Sequence, residues 1–131
     1  MEAGRVVLTR GTRLDAAQLA VAATVGAATV DVFAPPQVAV LSTGSELVPV
    51  DAAPGPAQIR NSNNVLLCAM LHRMGCEAID LGTVPDDPDT ISAALKKGME
   101  HAALCVTGGM SMGRYDHVPQ LLRAMGVQMP V

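Results

Sequence analysis

Val38-Ala39-Val40-Leu41-Ser42-Thr43-Gly44-Ser45-Glu46 is an apolar run that ends in hydroxyl residues, a glycine and a carboxylate. A continuous apolar run over Val38–Ser42, closed by turn residues, reads as a strand covered on both faces. Outward from it the pattern is regular. A Pro/Gly/Ala loop occupies Pro49–Ala57, and Leu66, Leu67, Met70, Leu71 and Met74 then recur at helical spacing over about Asn63–Met74, up to Gly75. Ala78–Leu81 reads as a strand. Asp87-Pro88 supplies an N-cap and a first-turn proline for a helix over Pro88–Glu100. Ala103–Thr107 is a further strand, a helix carrying Val118, Leu121, Leu122 and Met125 follows, and Val127–Val131 begins another strand. Strands alternating with helices of this length mean βαβ units: an α/β fold with a mostly parallel sheet and helices on both faces.

Upstream the pattern is less regular. Arg5–Leu8 and Thr29–Phe33 read as strands, with a helix between them that is capped by Asp15, boxed by Gln18 and ended at Gly26. Ala34-Pro35-Pro36-Gln37 is the best linker candidate, so we expect a boundary that separates residues 1–36 from residues 37–131.

Composition bounds the function. The chain has 131 residues, half of them apolar and 16% charged, which suits one hydrophobic core. One Phe, one Tyr, no Trp and a net charge of −3 argue against nucleic acid, which needs stacking platforms or a basic field. No apolar run approaches the roughly 20 residues that span a membrane, and no secretory signal is visible. The three cysteines, Cys68, Cys76 and Cys105, fit reduced thiols in a cytoplasmic protein. His72, His101 and His117 are scattered and give no zinc spacing.

Right-handed crossovers bring the carboxyl ends of parallel strands to one edge, where α/β proteins bind ligands. Three loops meet there: 43–46, 82–87 and 107–116. The last, Thr107-Gly108-Gly109-Met110-Ser111-Met112-Gly113-Arg114-Tyr115-Asp116, is either a Gly-rich turn needed for positive φ or a backbone cradle for an oxyanion. Glu46, Asp86 and Asp116 come from the three different loops, and converging carboxylates beside an oxyanion cradle call for a divalent cation such as Mg²⁺. The alternative makes Asp87 and Asp116 helix caps and leaves Glu46 and Asp86 solvated. Gln58-Ile59-Arg60-Asn61-Ser62-Asn63-Asn64 opens a helix. Ser62 or Asn63 can cap it, or the cluster can face the ligand edge, with Arg60 on a phosphate or simply exposed. Cys105, in a strand, reads as inert core.

Taken together, Val38–Leu47, Gln58–Asn63, Gly75, Leu81-Gly82, Asp86-Asp87-Pro88 and Gly108–Asp116 resemble, in order and spacing, the MoeA family of molybdopterin molybdenumtransferases, which includes the catalytic domain of gephyrin. The resemblance implies a MogA-like molybdopterin-binding domain over residues 37–131, incomplete at its C-terminus, with 1–36 as the end of a preceding region. It implies insertion of molybdate into adenylylated molybdopterin, with Mg²⁺ and release of AMP. By motif position Glu46, Asp86 and Asp116 would be the catalytic and metal-binding residues. Thr43, Gly44, Asn61, Ser62 and Asn63 would contact the substrate, and Gly108, Gly109, Ser111 and Gly113 would hold its pyrophosphate. A homodimer and contact with the MogA-type adenylyltransferase are implied as well. Two departures stand out: Ser45 where the family often has Asp, and Arg60-Asn61 where Tyr-Asp is more usual. The MogA-type adenylyltransferase itself is disfavoured, because its loop reads Gly-Gly-Thr-Gly. A non-catalytic molybdopterin- or nucleotide-binding module, and a fragment that folds only within a longer protein, are further readings.

Overall fold

The structure, a computed structural model, describes residues 4–109 and 117–129. The chain divides into two compact units, Met1–Ala34 and Pro35–Val131. In the first, helix α1 (Ala16–Thr24) begins where the Asp15/Gln18 pair predicts: Asp15 accepts from the Ala17 and Gln18 backbone and the reciprocal half of the capping box is present. Arg10 sits over the Phe33 ring at 5.6 Å, a cation–π contact. The expected strands at Arg5–Leu8 and Thr29–Phe33 do not form. Val6, Val30, Val32 and Phe33 are exposed, so these apolar runs have no sheet to join within the unit.

The second unit contains β1 (Gln37–Thr43), β2 (Leu47–Val48), β3 (Ile59–Arg60), α2 (Ser62–Arg73), β4 (Glu77–Val84), α3 (Pro88–Gly98), β5 (Ala103–Thr107) and α4 (Val118–Ala124). The main sheet has the order β4-β1-β5, and both pairings are parallel. Since the chain steps from β1 to one side through α2 and then back across to the other side through α3, right-handed crossovers put these helices on opposite faces. The α/β class with a parallel sheet and helices on both faces is therefore what forms. Only β1 is buried along nearly its whole length, from Val38 to Thr43; β4 and β5 are edge strands and mostly half-buried, so Cys105 is half-buried rather than sealed in the core. The expected strand at Val127–Val131 is not formed over its described residues, Val127–Met129.

The core lies on one face of the sheet. Leu41, Ile91, Leu95 and Val118 are buried together, with Leu81, Leu104, Val106 and Leu121 packed against them. The apolar stripe expected on α2 divides: Leu67 and Leu71 are half-buried, whereas Leu66, Met70 and Met74 are half or more exposed. Helical spacing marked a face here, but only part of it meets the sheet.

Asp87 caps α3 as its Asp-Pro signature demands, accepting from Thr90 N at 2.9 Å and from Thr90 Oγ1 at 2.6 Å. The Thr90 hydroxyl, then its amide, hold the Asp87 carboxyl below its usual value. A depressed folded-state pKa means the cap stabilises above the unfolded value and is lost as pH falls through the folded one. Asp87→Ala is therefore expected to lower the melting temperature at pH 7, and the gap to wild type should close below roughly pH 4. Parallel melts at neutral and acid pH check this; an equal gap at both would sink it.

Candidate functional site

The carboxyl edge is built around a break in register. Val40 pairs with Asp80, yet Ser42 pairs with Thr83, so β4 carries one extra residue opposite Leu41. This is a β-bulge, and Gly82 sits in it at φ +76, a conformation that few other residues adopt. Asp80 holds the bulge: its Oδ1 accepts from Gly82 N at 2.6 Å and from Asn64 Nδ2 at 2.5 Å. The bulge aligns Thr83 with Ser42. Asn61 Nδ2 donates to Thr83 Oγ1 at 2.9 Å, and on the other side Ser42 and Thr107 share a hydrogen bond of 2.9 Å. Asn61, Asp80, Ser42 and Thr107 thus mark the polar end of an otherwise apolar sheet.

Two loops are clasped above it. Ser45 N donates to Asp86 Oδ2 and Asp86 N donates to Ser45 Oγ, each at 3.1 Å. Gly44 N also donates to Val84 O at 3.1 Å. Glu46 folds its carboxylate back over Gly44, close enough that a Cβ on Gly44 would lie 2.6 Å from Oε2. The short parallel pair β2–β3 ties this loop to the start of α2 through Ile59 N to Glu46 O and Asn61 N to Val48 O, at 2.8 and 3.0 Å. Ser45 and the loop before α2, together with β4, enclose a cleft of about 430 Å³.

Placement of the expected residues is mixed. Glu46 and Asp86 are exposed on adjacent loops of this edge. Thr43 is 1% exposed at the end of β1, and its Oγ1 has no partner among the described residues. Gly44 and Asn61 line the cleft. Asn61 is the cap of α2, accepting from Asn64 N at 3.1 Å, so the cap is neither Ser62 nor Asn63. Those two lie exposed in the first turn and do not line the cleft. Arg60 is exposed and its Nε donates to Val50 O at 3.0 Å, which makes it a brace for the 49–57 loop. Gly108 and Gly109 have φ of +82 and +58 and press against Thr43. A Cβ on Gly109 would meet Thr43 Oγ1 at 2.7 Å and Val118 Cγ2 at 3.2 Å, so packing and its positive φ favour glycine there without any ligand. Asp116, Ser111 and Gly113 lie outside the described residues. Among the described residues, no three His, Cys, Asp or Glu side chains gather as a metal site.

Sequence reasoning passed over Asp80 and placed Asn64 and Thr83 only within wider segments, 58–64 and 82–87; all three line the cleft. One signal was available: Asp80 interrupts the apolar stretch Ala78-Ile79-Asp80-Leu81, and a carboxylate in a parallel strand needs a structural or functional reason.

Comparison with known proteins bears on the fold and the family. Residues 39–131 match a family model described as "Probable molybdopterin binding domain". A molybdopterin molybdenumtransferase of Nostoc sp. is 36% identical over 131 residues, covering 99% of this chain and 30% of that protein. One from Staphylococcus aureus is 38% identical over 123 residues, 93% of this chain and 29% of its own length. The chain thus spans about 30% of the length of these relatives. A crystal structure of the molybdopterin biosynthesis MoeA protein from Pyrococcus horikoshii superposes with a TM-score of 0.79 at 32% identity, covering 92% of this chain and 30% of that one. In fold and in sequence over nearly its whole length, the chain belongs to the family of molybdopterin-binding domains, on its MoeA side.

Proposed function

We propose that this chain supplies the molybdopterin-binding domain of a molybdopterin molybdenumtransferase, the reaction that inserts molybdate into the dithiolene of adenylylated molybdopterin and releases AMP. The observation that carries the reading is the cleft at the carboxyl edge. It opens where β1 has neighbours reached by crossovers in opposite directions, the position at which parallel sheets bind ligands. Its polar groups are displayed from three separate segments: Ser45, Asn61 and Thr83.

Mg²⁺ belongs to the same proposal. The Ser45–Asp86 clasp holds the Asp86 carboxylate at the edge, next to the loop that carries Glu46. Carboxylate oxygens are the donors a hard cation prefers. Glu46 and Asp86, with Asp116, would hold Mg²⁺, which would neutralise the phosphate oxygens of the substrate. A homodimer and contact with a MogA-type adenylyltransferase are part of this reading and follow from the family resemblance; a cytoplasmic setting is part of it too and rests on the three unpaired cysteines.

Calorimetric titration with adenylylated molybdopterin, with and without Mg²⁺, tests it. Mg²⁺-dependent binding is expected. Asp86→Asn should weaken it by about tenfold or more, in line with losing one charge-assisted contact. The amide retains an acceptor for Ser45 N, so the melting temperature should hardly move. Mg²⁺-independent binding, or an Asp86→Asn protein with wild-type affinity, would rule out the metal assignment.

A further inference from the structure

Two asparagines at the start of α2 grip β4 on either side of its extra residue. Asn64 Nδ2 donates to Asp80 Oδ1, the same oxygen that accepts from Gly82 N. Asn61 Nδ2 donates to Thr83 Oγ1, and Asn64 N closes the circuit by donating to Asn61 Oδ1. Both asparagines are 6% exposed. They stand three positions apart, the spacing of neighbours on a helix surface. Asp80 and Thr83 are also three apart, yet residues three apart on a regular strand face opposite sides. The bulge at Gly82 is what brings both to the helix.

The core face of β4 shows the same change of phase. Leu81 and Val84, again three apart, both pack on the cluster of Leu41, Ile91, Leu95 and Val118. Without the extra residue, Ser42 would pair with Gly82 and Thr43 with Thr83, instead of with Thr83 and Val84. A slip of one residue turns every later side chain to the other face. Val84 would leave the core and Thr83 would enter it. Asp86 would shift by one position, about 3.3 Å, out of its clasp with Ser45. Threonine and valine are alike in shape, so apolar packing separates the two registers mainly by the burial of one hydroxyl. Two bonds to β4 exist only with the bulge: Gly82 N to Asp80, and Asn61 to Thr83. Asn64 holds the partner in each, since it fixes the Asp80 carboxylate from one side and the Asn61 amide from the other. Setting register is the best-attested use of buried polar groups of this kind.

We propose that Asn64 is a positioning residue: acting through Asp80 and Asn61, it locks β4 in its bulged register and so sets where Asp86 stands on the carboxyl edge. The register belongs to the unliganded chain and goes beyond the function proposed above; its consequence for binding rests on that reading. Three amides report it. Gly44 N donates to Val84 O, Ser45 N to Asp86 Oδ2 and Asp86 N to Ser45 Oγ, each at 3.1 Å, and all three bonds need residues 84 and 86 in their present places.

The test is amide hydrogen exchange, read residue by residue by NMR on the whole chain without ligand. Asn64→Leu removes the clamp at nearly constant size. Thr83→Val removes its far end and offers the core a valine in the slipped register. Each should lower protection at Gly44, Ser45 and Asp86 by about tenfold or more, while the amides of the β1–β5 pairing keep their wild-type protection. Asp80→Asn and Thr83→Ser keep the acceptor oxygens and should retain protection at all three. Wild-type protection in both Asn64→Leu and Thr83→Val would overturn the proposal. So would a loss shared equally by the β1–β5 amides, which would make the clamp a matter of general stability. If Asn64→Leu does not fold, Thr83→Val with its Thr83→Ser rescue decides. A second arm titrates Asn64→Leu with adenylylated molybdopterin and Mg²⁺. Affinity should fall about tenfold although Glu46 and Asp86 are intact. Unchanged affinity in a protein whose three amides have lost protection would overturn the positioning role. A wild type that binds nothing would remove the functional reading, and the exchange data would still decide the register.

Discussion

Gly108→Ala should destabilise the second unit by about 3 kcal/mol or more, enough to leave little folded protein at 37 °C if the unit has ordinary stability. Two causes add. Gly108 has φ +82, where a Cβ costs about 1–2 kcal/mol. That Cβ would also overlap the Thr43 carbonyl oxygen, a backbone atom of the central strand that cannot rotate away. Gly109→Ala is the informative comparison. Its Cβ would meet the Thr43 hydroxyl and a Val118 methyl, both side-chain atoms able to shift. It should cost less, about 1–3 kcal/mol. Urea unfolding of the two variants checks the order; a Gly108→Ala protein as stable as wild type would mean that this turn does not pack on Thr43. The result also bears on the Gly-Gly loop as an oxyanion cradle, because stability lost without any ligand present is a packing requirement and not a binding one.

Leu41→Ala should cost about 2–5 kcal/mol, the range for deleting a large side chain from a rigid core. Leu41 is fully buried on the central strand and is covered by Ile91, Leu95 and Val118. Ile91 and Leu95 come from α3, which Asp87 caps, and Val118 opens α4, so the cavity can collapse only in part. Leu66→Ala is the matched control. Leu66 is 57% exposed on α2, and its removal should change stability by no more than about 0.5 kcal/mol. Midpoints of urea unfolding, with the slope unchanged, are the measurement. Comparable losses for both would mean that the exposed side of α2 is covered in solution.

The pair of leucines shows where reading a sequence stops. Both residues are apolar, and both sit in segments of convincing periodicity. Strand β1 was recognisable because a central parallel strand is apolar on both faces, and that property belongs to the residues themselves. The face of α2 was not recognisable, because a hydrophobic stripe does not say how wide a sheet it will meet. With three strands in the main sheet among the described residues, the outer part of the stripe has none of them beneath it. Arg5–Leu8 and Thr29–Phe33 fail as strands for a related reason: β-propensity is realised only beside a partner strand.

The site divides in the same way. Glu46, Asp86, Asn61 and the Gly108-Gly109 turn were identifiable as motifs, since loops that leave parallel strands must converge at one edge. Asp80 was not, and Asn64 and Thr83 stood only as members of wider polar segments. Their roles depend on one extra residue in β4, and a bulge exists only in the pairing of two strands about 40 residues apart. Local chemistry is enough to cap a helix, as Asp15 and Asp87 show, because donor and acceptor lie within three residues. By itself, the sequence determined the alternation of β1, α2, β4, α3, β5 and α4, the caps of α1 and α3, the central strand and the edge where the strand-end loops converge, all properties of near neighbours or of composition. Tertiary structure alone decided the register that turns Thr83 and Asp80 toward one cleft, the close approach that makes Gly108 indispensable, and which leucines form the core. Each of these depends on the distance between atoms far apart in the chain, which no local pattern encodes.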